Sequence, residues 1–357
     1  MASAVEHEAM NHALAMAAET SPRTHPNPRV GCVLLDAGGQ VVGTGVHHGP
    51  GQPHAEIAAL AKAGDAARGA TAVVTLEPCS HFGRTGPCAA ALAAAGVQRV
   101  VFGQTDPNPV AAGGAATLRA AGVDVESGVC ADQAKELNAI WAFAMENRRP
   151  LVTWKYAATV DGRVAAADGT SRWISGERSR AQVHHLRALV DAVMVGTGTV
   201  IADDPHLTAR RSDGTLLSHQ PVRVVVGRRD LPATAKVLDA SAPTLVWTSS
   251  DLGGLLDELF ARDVHHVLLE SGPLLSAAMV AEGLVDGVVA YIGPKILGSG
   301  PPLIGQLDVQ TMSQARELAF ADVARIGDDI RVTARFRPDA PVVDGPGFGA
   351  AQPEGGR

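Results

Sequence analysis

The sequence predicts an α/β protein with two domains. Apolar, strand-like runs alternate with helix-like segments along most of the chain, and 357 residues exceed one ordinary hydrophobic core. Arg148-Arg149-Pro150 interrupts the alternation near its middle, and a proline ends a helix at or before the preceding residue. We therefore expect one domain over residues 1–147 and a second over 148–337. Residues 338–357, rich in Pro, Gly and Asp, are expected to form a disordered tail.

The first domain alternates helices with short strands. Apolar residues at helical spacing predict helices, and short apolar runs between turn residues predict buried strands. The predicted helices cover residues 5–18, 54–62, 88–95, 115–121 and 132–146, and the predicted strands cover 30–35, 41–45, 72–76, 100–103 and 123–127.

The second domain repeats this alternation. Ser175 is predicted to cap a helix that runs to Leu189, and residues 251–262 place four apolar side chains on one helical stripe. The predicted strands cover 151–156, 192–196, 222–226, 244–248, 264–270 and 288–292.

Three metal-ligand residues occur at the ends of predicted elements in the first domain. His54 opens a helix after Pro53, Cys79 follows a buried strand, and Cys88 opens a helix after Pro87. One imidazole and two thiolates suit Zn²⁺ and leave its fourth tetrahedral position for water, whose pKa zinc lowers to about 7. Glu56, two residues after His54, can move the proton of that water. The pattern predicts a catalytic zinc site of the deaminase type, in which the Glu is not a ligand.

These residues also have less specific interpretations. A His-x-Glu pair alone usually marks a solvated helix face, and a non-catalytic zinc scaffold is a further alternative, although structural zinc sites normally have four protein ligands. Cys32, in an apolar strand, and Cys130, after a strand, are expected to be ordinary core or surface thiols. No disulfide framework is predicted, in agreement with a reducing compartment.

Composition limits the class of partner. The net charge is −7 without a basic tract, which argues against a nucleic-acid partner. The N-terminal helix carries Glu6 and Glu8, and no apolar run approaches 18 residues, so neither a signal peptide nor a membrane span is predicted. We expect a cytoplasmic protein.

Two glycine-containing turns follow strands in the second domain, at Gly196-Thr-Gly-Thr-Val200 and Glu270-Ser-Gly-Pro-Leu-Leu275. Backbone N–H groups at such turns can hold phosphates. Neither turn matches the dinucleotide fingerprint Gly-x-Gly-x-x-Gly, and an ordinary tight turn explains each of them as well. Asp203-Asp204-Pro205 is equally typical of a turn that ends a helix.

Residues 5–335 resemble the bifunctional riboflavin-biosynthesis deaminase/reductases. The resemblance rests on the following motifs: Thr24-His-Pro-Asn-Pro-Arg-Val-Gly31, Gly51-Gln-Pro-His-Ala-Glu56, Thr75 to Cys88, Lys155-Tyr-Ala-Ala-Thr-Val-Asp-Gly-Arg163, Ser171-Arg-Trp-Ile-Ser175, Val200-Ile-Ala-Asp-Asp-Pro205 and Glu270-Ser-Gly-Pro273. The eight residues between Cys79 and Cys88 differ from the Cys-x-x-Cys of nucleic-acid and nucleoside deaminases. A nucleoside or tRNA deaminase fused to an unrelated domain remains the alternative.

This resemblance implies a cytidine-deaminase-like first domain and a dihydrofolate-reductase-like second domain. The first would bind Zn²⁺ and replace the C2 amine of 2,5-diamino-6-(5-phosphoribosylamino)-4-pyrimidinone by oxygen. The second would use NADPH to reduce the ribosyl group, giving 5-amino-6-(5-phosphoribitylamino)uracil. The partner is then a small phosphorylated pyrimidine, and we expect a homo-oligomer.

Position by position, the resemblance also assigns roles. The zinc ligands are His54, Cys79 and Cys88, with Glu56 as the proton shuttle, and the deaminase pocket includes Asn27, His81 and Arg84. The cofactor positions are Ala157, Trp173, Thr199, Asp203 and the turn of Gly272, Pro273 and Leu274. The substrate positions of the reductase are Ser171, Arg187, Leu207, Arg210 and Glu270, and Lys155 and Asp203 are the candidates for polar catalytic roles.

Two positions depart from the family pattern. Gly86 stands where the family usually has Pro, which predicts a looser loop before Cys88. Gly227-Arg228 replaces an acidic and a hydroxyl residue after the strand 222–226. We expect Arg228 or Arg229 to bind the 2′-phosphate of NADPH there, with an unpartnered surface arginine pair as the alternative.

Overall fold

The computed structural model describes residues 1–20, 24–81, 86–211, 213–337 and 340–341. The chain forms two compact units, one up to Asn147 and the other from Arg148 onward. Of the tail predicted over 338–357, all but Ala340 and Pro341 lies outside the described residues. No helix in the described part of the chain is both long and apolar enough to cross a membrane.

The first unit is an α/β layer structure, as predicted. Its elements are α1 (Ala4–Glu19), β1 (Gly31–Leu35), β2 (Val41–Val46), α2 (Ala55–Ala63), β3 (Thr71–Leu76), α3 (Cys88–Ala94), β4 (Arg99–Gln104), α4 (Gly114–Ala120), β5 (Asp124–Ser127), α5 (Ala131–Leu137) and α6 (Ala139–Asn147). The strand order is β2-β1-β3-β4-β5; β1 is antiparallel to β2 and β3, whereas β3, β4 and β5 are parallel.

Alternate residues of the strands serve two cores. Cys32 and Leu34 pack on one face of the sheet, and Val33 and Leu35 pack on the other. All four are buried, which confirms that Cys32 is a core residue. Such alternation is what a two-sided sheet requires, because successive side chains point to opposite faces.

Helix α2 lies directly on strand β2. A Cβ atom at Gly45 would stand 2.1 Å from the carbonyl oxygen of Ala55, in the first turn of α2. Only glycine permits this approach of helix to strand. The contact sets the position of the α2 N-terminus, where His54 and Glu56 lie.

The helix predicted over 132–146 is wrong in one respect: it is two helices, α5 and α6, separated at Asn138. The side chain of Asn138 accepts a hydrogen bond from the backbone N–H of Arg29 and donates one to its carbonyl, both at 2.8 Å. An asparagine that pairs with a distant backbone segment in this way competes with continued helix.

The second unit contains a larger, mixed sheet. Its elements are β6 (Leu151–Thr159), α7 (Glu177–Leu189), β7 (Ala192–Gly196), α8 (Thr197–Asp203), β8 (Val222–Val226), β9 (Thr244–Trp247), α9 (Leu252–Ala261), β10 (His266–Leu269), α10 (Pro273–Ala281), β11 (Gly287–Gly293), β12 (Ala319–Ile326) and β13 (Asp329–Arg335). The strand order is β12-β13-β11-β6-β10-β7-β8-β9.

Six neighbouring strands of this sheet, β11 to β9 in that order, are parallel. Their carboxyl ends therefore meet at one edge, where open α/β sheets bind ligands. At this edge, Gly196 is the last residue of β7, Gly227 directly follows β8, and Glu270 directly follows β10. The turns predicted from the sequence to hold phosphates are thus neighbours.

Two predictions for the second unit need correction. The cap of α7 is Gly176 rather than Ser175, and its N–H donates to the carboxylate of Asp329 at 2.7 Å. The hairpin β12–β13 was not predicted. Strand β12 forms an edge of the sheet and exposes half of its residues or more, so it lacks the buried apolar run that identified the other strands.

Candidate active sites

The side chains of His54, Cys79 and Cys88 converge in the first unit. Nδ1 of His54 lies 3.3 Å from the sulfur of Cys88 and 3.7 Å from that of Cys79, and the three ligand atoms are all within 4.8 Å of one another. His54 caps α2, Cys88 is the first residue of α3, and Cys79 follows β3. The sequence prediction that element ends bring these residues together is confirmed.

A hydrogen bond joins the two thiol groups. Cys88 donates to the sulfur of Cys79, which lowers the pKa of Cys79 to about 4 and raises that of Cys88. The backbone N–H of Cys88 adds a further donor, 3.4 Å from the Cys79 sulfur. The Cys79 thiol is therefore the one that loses its proton more readily, and a bound divalent cation deprotonates a coordinating thiol outright. The donor set of one imidazole and two sulfurs fits Zn²⁺ with a position left for a non-protein ligand.

Glu56 lies in the first turn of α2 and is 4 % exposed. Burial raises the pKa of its carboxyl to about 7, with the neighbouring Cys79 adding to the rise. Glu56 is outside the group of three residues whose ligand atoms cluster. A buried carboxyl group with a pKa near neutrality, close to a metal cluster, is suited to accept and return a proton.

A buried histidine that the sequence analysis missed links the predicted pocket residue Asn27 to this cluster. Nδ1 of His47 lies 3.0 Å from the carbonyl oxygen of Pro53, so Nδ1 carries the proton, and Nε2 accepts from the Asn27 amide at 2.9 Å. Burial lowers the pKa of His47, which favours this neutral form. The His47 and His54 rings meet edge to face, with centroids 5.3 Å apart. The double histidine after β2 was the sequence signal for it.

Glu77 holds the loop that carries Cys79. Its buried carboxylate accepts hydrogen bonds from the backbone N–H groups of Ala115, at 2.9 Å, and Asp106, at 3.2 Å.

Two predicted pocket residues besides Asn27 remain. His81 has a buried Nδ1 without a hydrogen-bond partner among the described residues. Arg84 lies within 82–85, outside the described residues, and Gly86 has open space around its Cα.

In the second unit, the predicted residues Lys155, Arg187 and Glu270 form a largely but not fully buried charge cluster. Arg187 contacts the Glu270 carboxylate through Nε at 2.6 Å and Nη2 at 3.0 Å, and Nζ of Lys155 lies 3.5 Å from the same carboxylate. Burial alone would raise the pKa of Glu270, but Arg187 and Lys155 lower it to about 2. Burial lowers the pKa of Lys155, and the Glu270 charge opposes that effect.

Arg210 lies beside this cluster. Its Nε donates to the hydroxyl of Thr208 at 2.8 Å, while Nη1 of Arg187 lies 3.5 Å from the carbonyl oxygen of the same Thr208. Leu207, the preceding residue, is buried and has a φ of 54°, a left-handed conformation that costs free energy for a branched side chain. Three predicted substrate residues thus meet at one short segment.

The predicted cofactor positions Thr199 and Gly272 also meet. A Cβ atom at Gly272 would lie 3.6 Å from the Thr199 hydroxyl, which brings the starts of α8 and α10 together. Pro273 is the first residue of α10, and Leu274 after it is 80 % exposed. Backbone N–H groups of two helix starts at one sheet edge can bind phosphate oxygens.

Arg228 and Arg229 differ in their contacts. Nε of Arg228 donates to the carbonyl of Thr248 at 3.1 Å. Arg229 covers Gly198 in the first turn of α8, since a Cβ atom there would stand 2.4 Å from its Nη2. Of the two arginines, Arg229 is therefore the one beside the glycine-containing turn after β7.

Trp173 lies on a loop with a cationic surrounding. Its indole is 59 % exposed, and the guanidinium of Arg180 lies 4.2 Å from the ring centroid. Arg172 donates to the carbonyl of Asp203, at the end of α8, at 3.2 Å.

The two remaining predicted residues lie on β6 and at the start of the Trp173 loop. Ala157, on β6, lies two residues from Lys155 and so on the same face of the strand. Ser171, the remaining predicted substrate residue, is half-buried at the start of the Trp173 loop.

Comparison with known proteins identifies both units. Residues 150–332 match the RibD C-terminal domain, and residues 3–104 match the cytidine and deoxycytidylate deaminase zinc-binding region. The riboflavin biosynthesis protein RibD of Mycobacterium tuberculosis is 44% identical over 325 residues, which cover 90% of this chain and 95% of the relative. RibD of Escherichia coli is 37% identical over 90% of this chain and 96% of its own length.

Solved structures agree. Acinetobacter baumannii RibD superposes with a TM-score of 0.83 at 39% identity, covering 93% of this chain and 98% of that one. A diaminohydroxyphosphoribosylaminopyrimidine deaminase/5-amino-6-(5-phosphoribosylamino)uracil reductase from Thermotoga maritima gives 0.80 at 32% identity, with the same coverage. The resemblance seen in the sequence motifs is confirmed. The chain belongs to the RibD family of bifunctional deaminase/reductases of riboflavin biosynthesis.

Proposed function

We propose that the unit up to Asn147 deaminates 2,5-diamino-6-(5-phosphoribosylamino)-4-pyrimidinone at C2, and that the unit from Arg148 reduces the ribosyl group of the product with NADPH. The observation that carries the proposal is the pairing of two chemically different sites in one chain. One is the His54, Cys79 and Cys88 cluster beside buried Glu56. The other is the Lys155, Arg187 and Glu270 cluster at the carboxyl edge of a parallel sheet.

For deamination, His54, Cys79 and Cys88 would hold the zinc ion. When bound, zinc would lower the pKa of water so that hydroxide is available at neutral pH to attack C2. Glu56 would take the proton released from water and deliver it to the departing amine, so that ammonia leaves and the oxygen stays on the ring. Its raised pKa, about 7, suits both halves of that transfer. Asn27, His81 and Arg84 are proposed to line the pyrimidine pocket, with His47 orienting Asn27.

For reduction, the cofactor would supply hydride to C1 of the ribosyl group, and a proton must reach the ring oxygen as the sugar opens. Lys155 is proposed as the proton donor, because its burial and its ion pair with Glu270 place an ammonium group in the cluster. Arg187, Arg210, Ser171, Leu207 and Glu270 are proposed to bind the phosphorylated substrate. Arginine can bind a phosphate through two hydrogen bonds.

The cofactor site is proposed at the starts of α8 and α10. Arg228 or Arg229 is proposed to bind the 2′-phosphate of NADPH. The other proposed cofactor residues are Ala157, Trp173, Thr199, Asp203, Gly272, Pro273 and Leu274. Thr199 and Gly272 are adjacent and Arg229 covers the same turn, which supports one continuous binding surface. We further propose a homo-oligomer in the cytoplasm, consistent with four free cysteines; size-exclusion chromatography with light scattering tests the assembly.

The experiment is incubation of the full chain with the diaminopyrimidinone phosphate, with and without NADPH, followed by mass spectrometry. Without NADPH the product should have oxygen in place of an amino group. With NADPH it should in addition gain two hydrogens. Cytidine and a tRNA substrate serve as comparisons, and faster deamination of either would reject the proposed substrate.

A further inference from the structure

The loop that carries Trp173 is held from the end of strand β11. Nζ of Lys295 donates hydrogen bonds to the carbonyl oxygens of Trp173, at 2.6 Å, and Ile174, at 3.1 Å. Gly293, the last residue of β11, packs against the same segment, because a Cβ atom there would stand only 2.2 Å from the Ile174 oxygen. The backbone of residues 173 and 174 is thus fixed from two sides by one short stretch of chain.

Lys295 is itself held in place. Its carbonyl accepts from the N–H of Val160 at 2.9 Å, and its own N–H donates to the carbonyl of Gly293 at 2.7 Å. Leu297 and Gly298, two and three residues further along the chain, donate their N–H groups to the carboxylate of Asp161. Because the backbone of Lys295 is already ordered, fixing its ammonium group costs less conformational entropy than it would for a lysine on a mobile segment. Its two hydrogen bonds therefore restrain the loop at a lower entropic cost.

The indole that this loop presents is exposed, and one face of it is covered by a cation. Arg180 lies 4.2 Å from the ring centroid and also donates to the carbonyl of Ser175 at 2.8 Å. With Lys295 on the carbonyls of 173 and 174 and Arg180 on that of 175, three successive carbonyls accept from cationic side chains. These hydrogen bonds fix the backbone of residues 173–175, and they thereby fix the direction in which the Trp173 side chain points from the backbone.

We propose that Lys295 is a positioning residue of the cofactor site: it holds Trp173 in the orientation in which the nicotinamide cofactor binds. This inference rests on the proposed role of Trp173 in cofactor binding. Lys295 acts through the Trp173 backbone and need not touch the cofactor. Pre-ordering of a binding loop raises affinity because less conformational entropy is lost on binding.

The test is a double-mutant cycle in the full chain with Lys295→Met and Trp173→Leu. Methionine keeps a long apolar stem and removes the donors. Lys295→Met is expected to raise the dissociation constant and the KM for NADPH by about tenfold, the usual effect of losing a hydrogen bond to a charged group. The kcat of reduction at saturating NADPH should change less than the KM, and deamination should stay unchanged. Lys295→Arg, which can still donate to both carbonyls, should restore most of the affinity.

The cycle separates this inference from the proposed cofactor role of Trp173. If Lys295 acts through Trp173, the double variant should bind NADPH no more weakly than Trp173→Leu alone. Full additivity, or an unchanged KM in Lys295→Met while Trp173→Leu weakens binding, would overturn the inference and leave the cofactor site in place. Unchanged binding in Trp173→Leu would reject the role of Trp173, and the inference with it. If Lys295→Met fails to fold, Lys295→Gln, which keeps one donor, replaces it in the same cycle.

Discussion

Arg187 and Glu270 form a two-point ion pair in the second unit, with Nε–Oε1 at 2.6 Å and Nη2–Oε2 at 3.0 Å. Arg187 lies on α7 and Glu270 follows β10, 83 residues later. The pair joins a helix to the carboxyl edge of the sheet. It also leaves Lys155, on the adjacent strand β6, within 3.5 Å of the same carboxylate. One acid therefore compensates two largely buried cations.

Replacing that acid should destabilise the protein. Glu270→Gln leaves Arg187 and Lys155 without a counter-charge, and removal of one partner from a buried pair costs about 3–5 kcal/mol. The pKa of Glu270, lowered to about 2, leads to a similar figure: a fall from 4.5 to about 2 corresponds to about 3 kcal/mol. Urea unfolding followed by circular dichroism at pH 7 measures the loss.

The same variant predicts a pH dependence. A carboxyl group whose pKa is lowered by folding stabilises the folded state above its unfolded pKa, and this contribution disappears as the pH falls from about 4.5 to about 2. The difference between wild type and Glu270→Gln should therefore shrink below pH 4.5. The control is Glu258→Gln, which breaks the exposed pair with Arg262 and should cost less than about 0.5 kcal/mol. An equal loss in both variants would contradict the assignment.

The second prediction concerns the proton carrier of the deaminase site. Glu56→Ala should keep about one zinc per chain, since three ligands remain, while deamination falls by a factor on the order of 10²–10⁴. Metal analysis and a deamination assay on the same preparation measure both quantities. Cys88→Ser is the comparison and should release zinc. Loss of zinc in Glu56→Ala would show that Glu56 is a ligand or a structural support; circular dichroism and thermal unfolding of the same preparation serve as the folding control.

Most of the first site could be predicted from the sequence because its residues lie at the ends of strongly patterned elements. His54 and Cys88 each follow a proline that starts a helix, and Cys79 follows an apolar strand. His47 was missed because the pair His47-His48 after β2, although visible in the sequence, has no spacing that identifies its partners. Its importance comes from Asn27, 20 residues earlier, and from Pro53.

The second site was less accessible to sequence reasoning. The pairing of Arg187 with Glu270 depends on which strands are neighbours in the sheet, and strand order is not encoded in local periodicity. Lys295 donates to the carbonyl oxygens of Ile174 and Trp173, which lie 121 and 122 residues earlier in the chain. Because every residue has a backbone carbonyl, the sequence does not mark these two as its partners. The β12–β13 hairpin, by contrast, had a signal that was overlooked, since Gly327-Asp328 between two alternating runs is typical of a two-residue hairpin loop.

The third prediction is that the second unit works alone. A protein that begins at Arg148 should fold and reduce the deaminated substrate with NADPH. The start must retain Arg149, because its guanidinium makes two hydrogen bonds, at 2.8 and 2.7 Å, to the carboxylate of Asp286, which is fully buried. A start at Leu151 is the matched comparison and should be less stable. A folded but inactive Arg148 protein would mean that reduction needs residues from the first unit.

The last prediction separates the two arginines after β8. Arg229 lies over Gly198 in the first turn of α8, whereas Nε of Arg228 donates to the carbonyl of Thr248. If the 2′-phosphate of NADPH binds at this turn, Arg229→Ala should raise the KM for NADPH by roughly 10- to 100-fold, the loss expected for one or two hydrogen bonds to a charged group. Arg228→Ala should have a smaller effect, because its Nε is already bound to the protein.

NADH is the internal control for this prediction, because it lacks the 2′-phosphate. Its KM should barely change in Arg229→Ala, so the preference for NADPH over NADH should fall by the same factor as the affinity for NADPH. Steady-state reduction assays with both cofactors, in both single variants, give the four numbers that are needed. Equal weakening of NADPH and NADH would mean that Arg229 supports the turn rather than the phosphate. A larger effect of Arg228 would mean that the phosphate lies on the Thr248 side of β8, and that Arg228 exchanges its carbonyl partner for the cofactor on binding.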